Sequence, residues 1–282
     1  MIKKKIFILV INKKVIDVFL RDHVINLSNH YEIEFISSTH GPTISINKKP
    51  YKNYFVNLKR SFSLTNLSRN IFEILIIILK KKPSLVISLH PKNGLLVSIC
   101  KLFFNFKNLH IITGQIWANN KNLYKLLFKS IDKFIIFKSN FLLIDSKSQI
   151  SYLKKEGFNV GKITCINNGS ICGINQNKYY KSNLNRINFF EENNLNIKTK
   201  LILFSGRINI SKGILILLNA FKLLINDNYN CHLLVIGDDE INFSSIIKKQ
   251  DLKYRNKITI LSYTENINYY YSLSNIFCLP SF

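Results

Sequence analysis

Short apolar runs alternate along this chain with longer segments in which apolar residues recur every three or four positions. The runs have the length of buried strands, and the longer segments have the period of helices that pack on a sheet. Strands are predicted at residues 5–11, 33–37, 85–89, 109–113, 142–145 and 163–166, and then at 201–204, 232–237, 258–261 and 276–279. This alternation is typical of parallel sheets with helices on both faces.

A polar stretch at residues 175–200 interrupts the rhythm and separates the strands into two blocks. Two such blocks predict an α/β protein with two doubly wound, Rossmann-like domains. We place these domains at residues 1–178 and 179–282. In a doubly wound sheet the strand at 276–279 lies beside the first strand of its block and leaves an apolar edge open for a further neighbour. The second domain is therefore expected to be incomplete.

The composition adds one observation to the predicted fold, which is a large excess of positive charge. The chain of 282 residues has 40 basic and 16 acidic side chains, a formal net charge of +24, and its 47 % apolar content excludes a disordered protein. The excess charge favours an anionic partner, which could be a membrane surface, a nucleotide or a nucleic acid. A second explanation of equal weight is an A/T-rich coding sequence, which raises the Lys, Asn and Ile content of any protein.

The location of the protein follows from its cysteines and its amino terminus. Five scattered cysteines without a C-x-x-C sequence exclude a disulfide framework or zinc site and favour a reducing compartment. The apolar run at residues 6–11 imitates a signal peptide, but Asn12-Lys13-Lys14 ends it too early. We expect a cytoplasmic protein, and lysine clusters at residues 3–5, 80–82 and 154–155 are compatible with anionic lipid headgroups.

The chemistry is concentrated in residues 204–213, where an apolar run leads through a glycine turn into a helical pattern. Arg207 and Lys212 lie at this turn, and Ser211 is the predicted N-cap of the helix. Two fixed cations beside the free N–H groups of a helix N-terminus predict an anion-binding site. Arg207 can bond a diphosphate through two N–H groups, whereas Lys212 acts as a mobile point charge.

Other strands of the second block end in polar residues that should reach the same edge of the sheet. Gly237 is followed by acidic residues ending at Glu240, Tyr263 and Thr264 follow the next strand, and Ser281 follows the last. Gly206 and Gly237 would let the backbone approach a ligand closely. Glu240 has two interpretations here, a ligand contact or a solvated carboxylate favoured by the first turn of a helix.

These residues resemble the donor domain of family 4 glycosyltransferases, which have the GT-B fold. The family pattern reads G-R-x(4)-K-G, then a strand ending in G-D-x-x-E, then P-S. The corresponding residues here are Gly206-Arg207, Lys212-Gly213, Gly237-Asp238-Asp239-Glu240 and Pro280-Ser281.

The first block agrees independently, because it resembles a subgroup that builds bacterial surface polysaccharides on lipid-linked acceptors. The matching segments begin at His90, Thr113, Asp145 and Gly169. Asp145-Ser146 is interpreted as a helix cap and not as a catalytic pair. Trp117 either lines the acceptor side or plugs the floor between the domains.

The resemblance implies a donor site and a mechanism. Arg207 and Lys212 would hold the donor diphosphate and stabilise charge on the departing nucleotide. Gly206, Gly237, Glu240, Tyr263, Thr264 and Ser281 would contact the donor, expected to be a UDP-sugar. The family transfers sugars with retention of configuration and needs no bound metal or other cofactor. The implied acceptor is a polyprenyl-diphosphate-linked saccharide, met at the cytoplasmic face of the membrane through peripheral contact.

Two departures from the family pattern affect this interpretation. Many relatives carry a His where this chain has Gln115, which can donate a hydrogen bond but cannot titrate. Relatives also continue after P-S-x with E-G-F-G and a second Glu, which this sequence does not contain, so a truncated chain is expected. On the acceptor side, His90 and Arg60 are candidates, with a structural His and a solvated Arg as the alternatives.

A non-enzymatic alternative remains at this stage. The chain could be an inactive remnant, or a basic module that binds membranes or nucleic acid. Its aromatic residues mostly lie within apolar periodic segments, which disfavours nucleic-acid binding, because that function needs aromatics interleaved with basic residues on an exposed face. No nucleic-acid partner is therefore expected.

Overall fold

A computed structural model of the protein describes residues 3–58, 64–118, 122–180 and 183–282. The chain divides into two compact units, Met1–Gly173 and Ile174–Phe282. Each unit contains one sheet. The roles assigned above to residues 1–178 and 179–282, acceptor side and donor side, stay predictions.

The sheet of the first unit has eight strands in the order β3-β4-β2-β1-β5-β6-β7-β8. All neighbours are parallel except β3 and β4, which pair antiparallel, so the sheet is mixed. The strands are β1 (Lys5–Leu9), β2 (Glu32–Ser37), β3 (Thr43–Ile46), β4 (Lys49–Phe55), β5 (Leu85–Leu89), β6 (Asn108–Ile112), β7 (Phe141–Ile144) and β8 (Ile163–Cys165).

Helices cover this sheet because successive strand residues point to opposite faces. Ile6 and Ile8 pack with the first helical segment, whereas Phe7 and Leu9 pack on the other face against the helices that follow β4 and β5. The helices are α1 (Lys13–Val15), a π-helical turn (Ile16–Leu20), α2 (Arg21–Leu27), α3 (Leu64–Lys81), α4 (Pro91–Phe103), α5 (Asn122–Lys138) and α6 (Lys147–Lys155).

The antiparallel hairpin β3–β4 was not predicted from the sequence. Its two-residue turn, Asn47-Lys48, has φ values of 49° and 63°, the left-handed conformation that tight hairpins require. Ile44 pairs with Tyr51, and both side chains are buried on one face. Pro50 argues against a strand at the sequence level, since proline cannot donate to a ladder. In the structure it lies at the start of β4, opposite Ser45.

The sheet of the second unit is parallel throughout, in the order β11-β10-β9-β12. Its strands are β9 (Lys200–Ser205), β10 (Cys231–Ile236), β11 (Ile258–Leu261) and β12 (Ile276–Phe277). The helices are α7 (Asn183–Glu192), α8 (Ile214–Asn226), α9 (Phe243–Lys248), α10 (Leu252–Arg255) and α11 (Ile267–Leu273), with 3₁₀ turns at Gln176–Lys178 and Ile210–Lys212. The last predicted strand does lie beside the first strand of its block, and the predicted α/β class is confirmed.

Burial explains these elements. Every residue of β10 is buried, which fits the continuous apolar run of a central parallel strand. Helix α8 buries Ile214, Leu217 and Phe221 at helical spacing against this sheet. Tyr270 packs edge-on against Phe189, so the tyrosine run at 269–271 serves packing. Within the described ranges, every helix is too short or too polar to cross a bilayer.

Candidate functional site

The turn after β9 is organised by Asn209. Its Oδ1 accepts hydrogen bonds from the backbone N of Lys212, at 3.0 Å, and from Oγ of Ser211, at 2.9 Å. Asn209 therefore caps the 3₁₀ turn that precedes α8, and the prediction that Ser211 is the N-cap is wrong. The helix starts at Ile214, two residues later than a cap at Ser211 implies, because this 3₁₀ turn comes first.

Helix α8 begins without a side-chain cap. Its N-cap is Gly213, whose φ of 70° is left-handed and which has no side chain to bond the first N–H groups. The helix is 13 residues long, so its N-terminal partial charge is fully developed. Arg207 and Lys212 come from the same turn, and this end of the sheet is suited to an anion.

Arg207 is paired with Glu240, which follows β10. Nη1 of Arg207 lies 3.2 Å from Oε1 of Glu240, and Nδ2 of Asn209 donates to Oε2 at 2.7 Å. The hydrogen bond from Asn209 lowers the pKa of Glu240, and the charge of Arg207 lowers it further. Among the described residues, the Lys212 ammonium makes no ion pair with a carboxylate. Arg207 is thus paired with a carboxylate at this edge, whereas Lys212 is not.

Asp239, and not Glu240, caps the helix that follows. Its carboxylate accepts hydrogen bonds from the backbone N of Phe243, at 2.7 Å, and of Ser244, at 3.0 Å. These bonds lower the pKa of Asp239 despite the opposing effect of burial. The alternative interpretation of Glu240 as a first-turn carboxylate is wrong, because Glu240 precedes α9 and faces Arg207.

Two glycines let the strand ends pack backbone to backbone. A Cβ on Gly237, where φ is +154°, would lie 1.8 Å from the carbonyl O of Gly206. A Cβ on Gly213 would lie 1.9 Å from the carbonyl O of Pro280. The backbone N of Phe282 also donates to the carbonyl O of Ser211, at 3.1 Å. The residues after β12, including Ser281, are thereby brought to the turn that carries Lys212.

Tyr263 and Thr264 lie at the same edge, at the end of β11, which is separated from β9 by β10. Tyr263 is 53 % exposed. Oγ1 of Thr264 accepts a hydrogen bond from the backbone N of Asn266, at 3.1 Å, just before α11. Their predicted donor contacts stay predictions.

In the first unit, His90 and Gln115 lie at neighbouring strand ends. Nδ1 of His90 and Oγ1 of Thr113 share a hydrogen bond of 3.2 Å, and His90 has a φ of 69°, a strained value for a residue with a side chain. Nε2 of Gln115 is buried and has no hydrogen-bond partner among the described residues. A buried amide in this state is a donor available to a ligand or to water. Arg60 lies outside the described residues.

Trp117 packs inside the first unit, so it does not line an open acceptor side, and its predicted place at the floor between the domains stays a prediction. It is fully buried, stacks on Tyr152 and Phe158 with ring centroids 5.7 and 5.5 Å away, and donates from Nε1 to Oδ2 of Asp132 at 2.7 Å. Burial raises the pKa of Asp132 to about 6. Sequence reasoning missed Asp132, because an acid within a lysine-rich helix is typical of a solvated surface.

Asp145 and Ser146 have the structural role predicted for them. Oγ of Ser146 accepts from the backbone N of Gln149 at 3.2 Å and caps α6. Oδ1 of Asp145 accepts from the backbone N of Ile171 at 2.8 Å, which fixes the turn around Gly169. This pair is therefore occupied by backbone contacts.

A cavity of about 890 Å³ lies elsewhere, on one face of the first sheet beside α2. Apolar residues such as Ile8, Ile87 and Leu109 form its floor. None of the predicted site residues that the structure describes lines it. The convergence of polar and charged groups at the strand ends, and not cavity size, therefore identifies the candidate site.

Comparison with protein families supports the assignment of the second unit. Residues 185–282 match the family described as glycosyl transferases group 1. The chain is also 27 % identical, over 246 residues, to the capsular polysaccharide biosynthesis glycosyltransferase CapM of Staphylococcus aureus. That alignment covers 83 % of this chain and 62 % of CapM, so the chain spans less than two thirds of this relative's length.

Solved structures match the fold over nearly the whole chain. Sucrose-phosphate synthase from Thermosynechococcus elongatus has a TM-score of 0.77 at 15 % identity, with 99 % of this chain and 76 % of that chain covered. Anabaena HepE, solved with UDP and glucose, has a TM-score of 0.75 at 12 % identity, covering 99 % and 74 %. A glycosyltransferase from Rickettsia africae has a TM-score of 0.73 at 19 % identity, covering 99 % and 73 %. The predicted GT-B type of α/β fold is confirmed.

Proposed function

We propose that this chain, whose residues 185–282 match the glycosyl transferases group 1 family, transfers a sugar from a nucleotide-sugar donor to a saccharide in surface polysaccharide synthesis. One observation carries the proposal. Arg207 and Lys212 lie in the turn between the carboxyl end of β9, where a parallel sheet binds its ligands, and the uncapped start of α8. CapM, by its name, acts in the same kind of synthesis.

In this proposal Arg207 and Lys212 bind the donor diphosphate. When the bond between the sugar and the diphosphate breaks, negative charge develops on the departing nucleotide, and cations already fixed at that position stabilise it without reorganisation. Loss of one such group raises the barrier by about 3–4 kcal/mol. The mechanism assigns charge stabilisation to these side chains, with neither a metal nor a cofactor, and retains the configuration of the sugar.

The other residues of this edge complete the donor site. Gly206 and Gly237 leave room for the nucleotide to approach the backbone. Glu240 can accept hydrogen bonds from nucleoside hydroxyls, since Asn209 and Arg207 keep it ionised. Tyr263, Thr264 and Ser281 lie at the same edge and are assigned to the donor. A UDP-sugar is the proposed donor, a class supported by the HepE structure with UDP and glucose.

The first unit is assigned to the acceptor. His90 and Gln115 lie at its strand ends, and Nε2 of Gln115, which has no partner within the described ranges, can donate a hydrogen bond to a saccharide. A polyprenyl-diphosphate-linked saccharide is the proposed acceptor, which would place the protein in peripheral contact with the cytoplasmic face of a membrane.

The donor assignment is tested by calorimetry with UDP on the 282-residue chain. Arg207→Ala and Lys212→Ala should each weaken binding about tenfold or more, because each removes a charge-assisted hydrogen bond. Arg255→Ala and Lys249→Ala, matched cations on other exposed parts of the second unit, should change it less than about twofold. If the chain does not bind UDP, or if all four variants behave alike, the donor site is assigned wrongly.

A further inference from the structure

Helix α5 presents an apolar face to solvent. Leu123, Leu126, Leu127 and Phe137 have exposed fractions of 79 %, 66 %, 55 % and 71 %. At 3.6 residues per turn these positions fall within a sector of about 100°. Phe137 lies 14 residues after Leu123, so the strip runs for about 21 Å, with the exposed Ser130 within it.

The opposite face of the same helix already packs on the first unit. Ile135 and Ile136 are buried there, and Asp132 bonds Trp117. A surface helix of a globular protein ordinarily has one apolar face towards the core and a polar face outwards. Packing within the described part of the unit therefore accounts for one apolar face of α5 and leaves the other without a partner.

Lysines border the exposed strip. At the same helical spacing Lys133 lies on one side of it and Lys138 on the other, with Lys129 and Lys125 further round. Glu156 pairs with Lys129 at 2.8 Å and with Lys125 at 3.7 Å. Lys133 and Lys138 lie over the rings of Phe158 and Phe137, and neither has a carboxylate partner among the described residues.

We propose that this face of α5 docks on an anionic lipid bilayer. An apolar strip bordered by lysines is the pattern of a helix that lies in the plane of the interface, with its apolar side chains at the boundary of headgroups and acyl chains. Lysines at the border meet lipid phosphates. The proposed function includes peripheral contact with a membrane, and this proposal assigns that contact to α5. Membrane binding by α5 does not depend on transfer activity.

The positive charge of the chain favours a membrane over a protein as the partner of this face. Lysine is depleted from the cores of protein interfaces, whereas here it borders the strip on both sides. A second copy of the chain would bring together two molecules with a formal net charge of +24 each. An anionic bilayer supplies the opposite charge and an apolar phase at once.

Docking here would have a consequence for the acceptor side. Helix α5 starts shortly after Trp117, in the connection that also contains Gln115 at the carboxyl end of β6. The exposed Leu123 lies in its first turn. A bilayer against this end of the helix would therefore lie close to the strand ends that carry His90 and Gln115.

The test is flotation of the 282-residue chain with vesicles of phosphatidylcholine containing about one third phosphatidylglycerol, and with phosphatidylcholine alone. Leu126→Gln/Phe137→Gln should reduce partitioning to the anionic vesicles by at least about tenfold. The matched control is Ile216→Gln/Leu223→Gln on α8, where the side chains are 48 % and 64 % exposed, and it should bind as the unmodified chain does. Circular dichroism should show that both double variants keep the native helix content.

A second arm addresses charge and depth. Lys133→Gln/Lys138→Gln should lose most of the preference for anionic over neutral vesicles. Phe137→Trp should give a fluorophore whose emission shifts to the blue on anionic vesicles and is quenched by brominated acyl chains, whereas the fully buried Trp117 should not respond.

Three results would overturn the proposal: no binding of the unmodified chain, equal binding by the α5 and α8 double variants, or a dimer in sedimentation that the α5 variant dissociates. UDP binding at Arg207 is measured without lipid, so failure of the membrane proposal and failure of the donor assignment are distinguished.

Discussion

Glu240 reaches across two strand ends to Arg207, with 3.2 Å between its Oε1 and the Nη1 of the guanidinium. Both side chains are largely exposed, so the pair contributes little to folding stability. Its effect is on position, since it directs the guanidinium of Arg207 towards the end of β10. A diphosphate bound at this turn would share Arg207 with Glu240.

Glu240→Ala should therefore affect two ligands in opposite directions. Pyrophosphate binding should strengthen by about two- to fivefold, because a nearby negative charge is removed. UDP binding should weaken by about tenfold, because the nucleoside loses a charged acceptor. Calorimetry measures both. Glu265→Ala, an exposed glutamate after β11, is the control and should change neither. Equal weakening of both ligands would show that Glu240 only positions Arg207.

Gly206 and Gly237 have the same backbone conformation but different space around the missing side chain, so alanine substitutions at the two positions separate backbone strain from steric clash. Both have a φ of +154°, but a Cβ on Gly206 would meet nothing nearer than Cδ1 of Leu279 at 3.6 Å. Gly206→Ala should cost about 1–3 kcal/mol from strain alone. Gly237→Ala adds a contact of 1.8 Å with the Gly206 carbonyl, and should cost more than about 4 kcal/mol. Urea unfolding measures both, and equal costs would contradict the packing described here.

Asp132 should make the stability of the first unit depend on pH. Burial raises its pKa from the ordinary 3.8 to about 6, so the protonated carboxyl favours the folded state. Its contribution is fully present below about pH 4 and is lost as the pH rises through 6, a change of about 3 kcal/mol in the free energy of unfolding. Asp132→Asn keeps an acceptor for Trp117 and should remove this dependence.

The difference between the unmodified chain and Asp132→Asn is the quantity to plot against pH. Burial lowers the pKa of His110 to about 3, and this group changes stability in the opposite direction over part of the same range. The subtraction cancels it. Urea unfolding followed by the emission of Trp117, the one tryptophan of the chain, reports on the relevant region. Identical pH profiles for the two proteins would mean that Asp132 does not titrate as described.

Gly94 should resist substitution although it lies within a helix. Alanine is better than glycine in a helix by about 1 kcal/mol, but a Cβ here would lie 2.5 Å from Cε1 of His110. Gly94→Ala should thus destabilise the protein by about 1–3 kcal/mol. With His110→Ala the ring is gone, and the same change should become stabilising. A double-mutant cycle by thermal or urea unfolding measures this coupling, and additive effects would refute it.

The sequence alone is sufficient to predict strands that are buried on both faces of a sheet. Strand β10 is wholly buried and is followed by Gly237, so an apolar run and a glycine defined it closely. The hairpin β3–β4 was missed because its strands alternate polar and apolar residues and so lack the continuous apolar run by which the other strands were predicted, and because β4 contains Pro50. Helix α5 has apolar residues on two faces. The spacing of its apolar residues therefore predicts a helix, but it does not show which of the two faces packs on the core.

The charged residues of the site could be predicted from the sequence, but the residues that hold them in place could not. Arg207 and Lys212 follow from charge beside a glycine turn, whereas Asn209, which bonds both Lys212 and Glu240, has no distinguishing signal in a chain rich in asparagine. Ser211 was misassigned because a 3₁₀ turn shifts the cap to Asn209. Asp132 could not be found, since only tertiary packing shows that it faces Trp117.

The close approach of Gly213 and Pro280 joins the start of α8 to the segment that follows β12, although the two are far apart in sequence. A carbonyl oxygen occupies the space that a side chain at Gly213 would need, so the segment after β12 acts as a wedge behind the first turn of α8. The position of Lys212 in the proposed donor site thus depends on a backbone contact with Pro280, a residue that lies far along the chain.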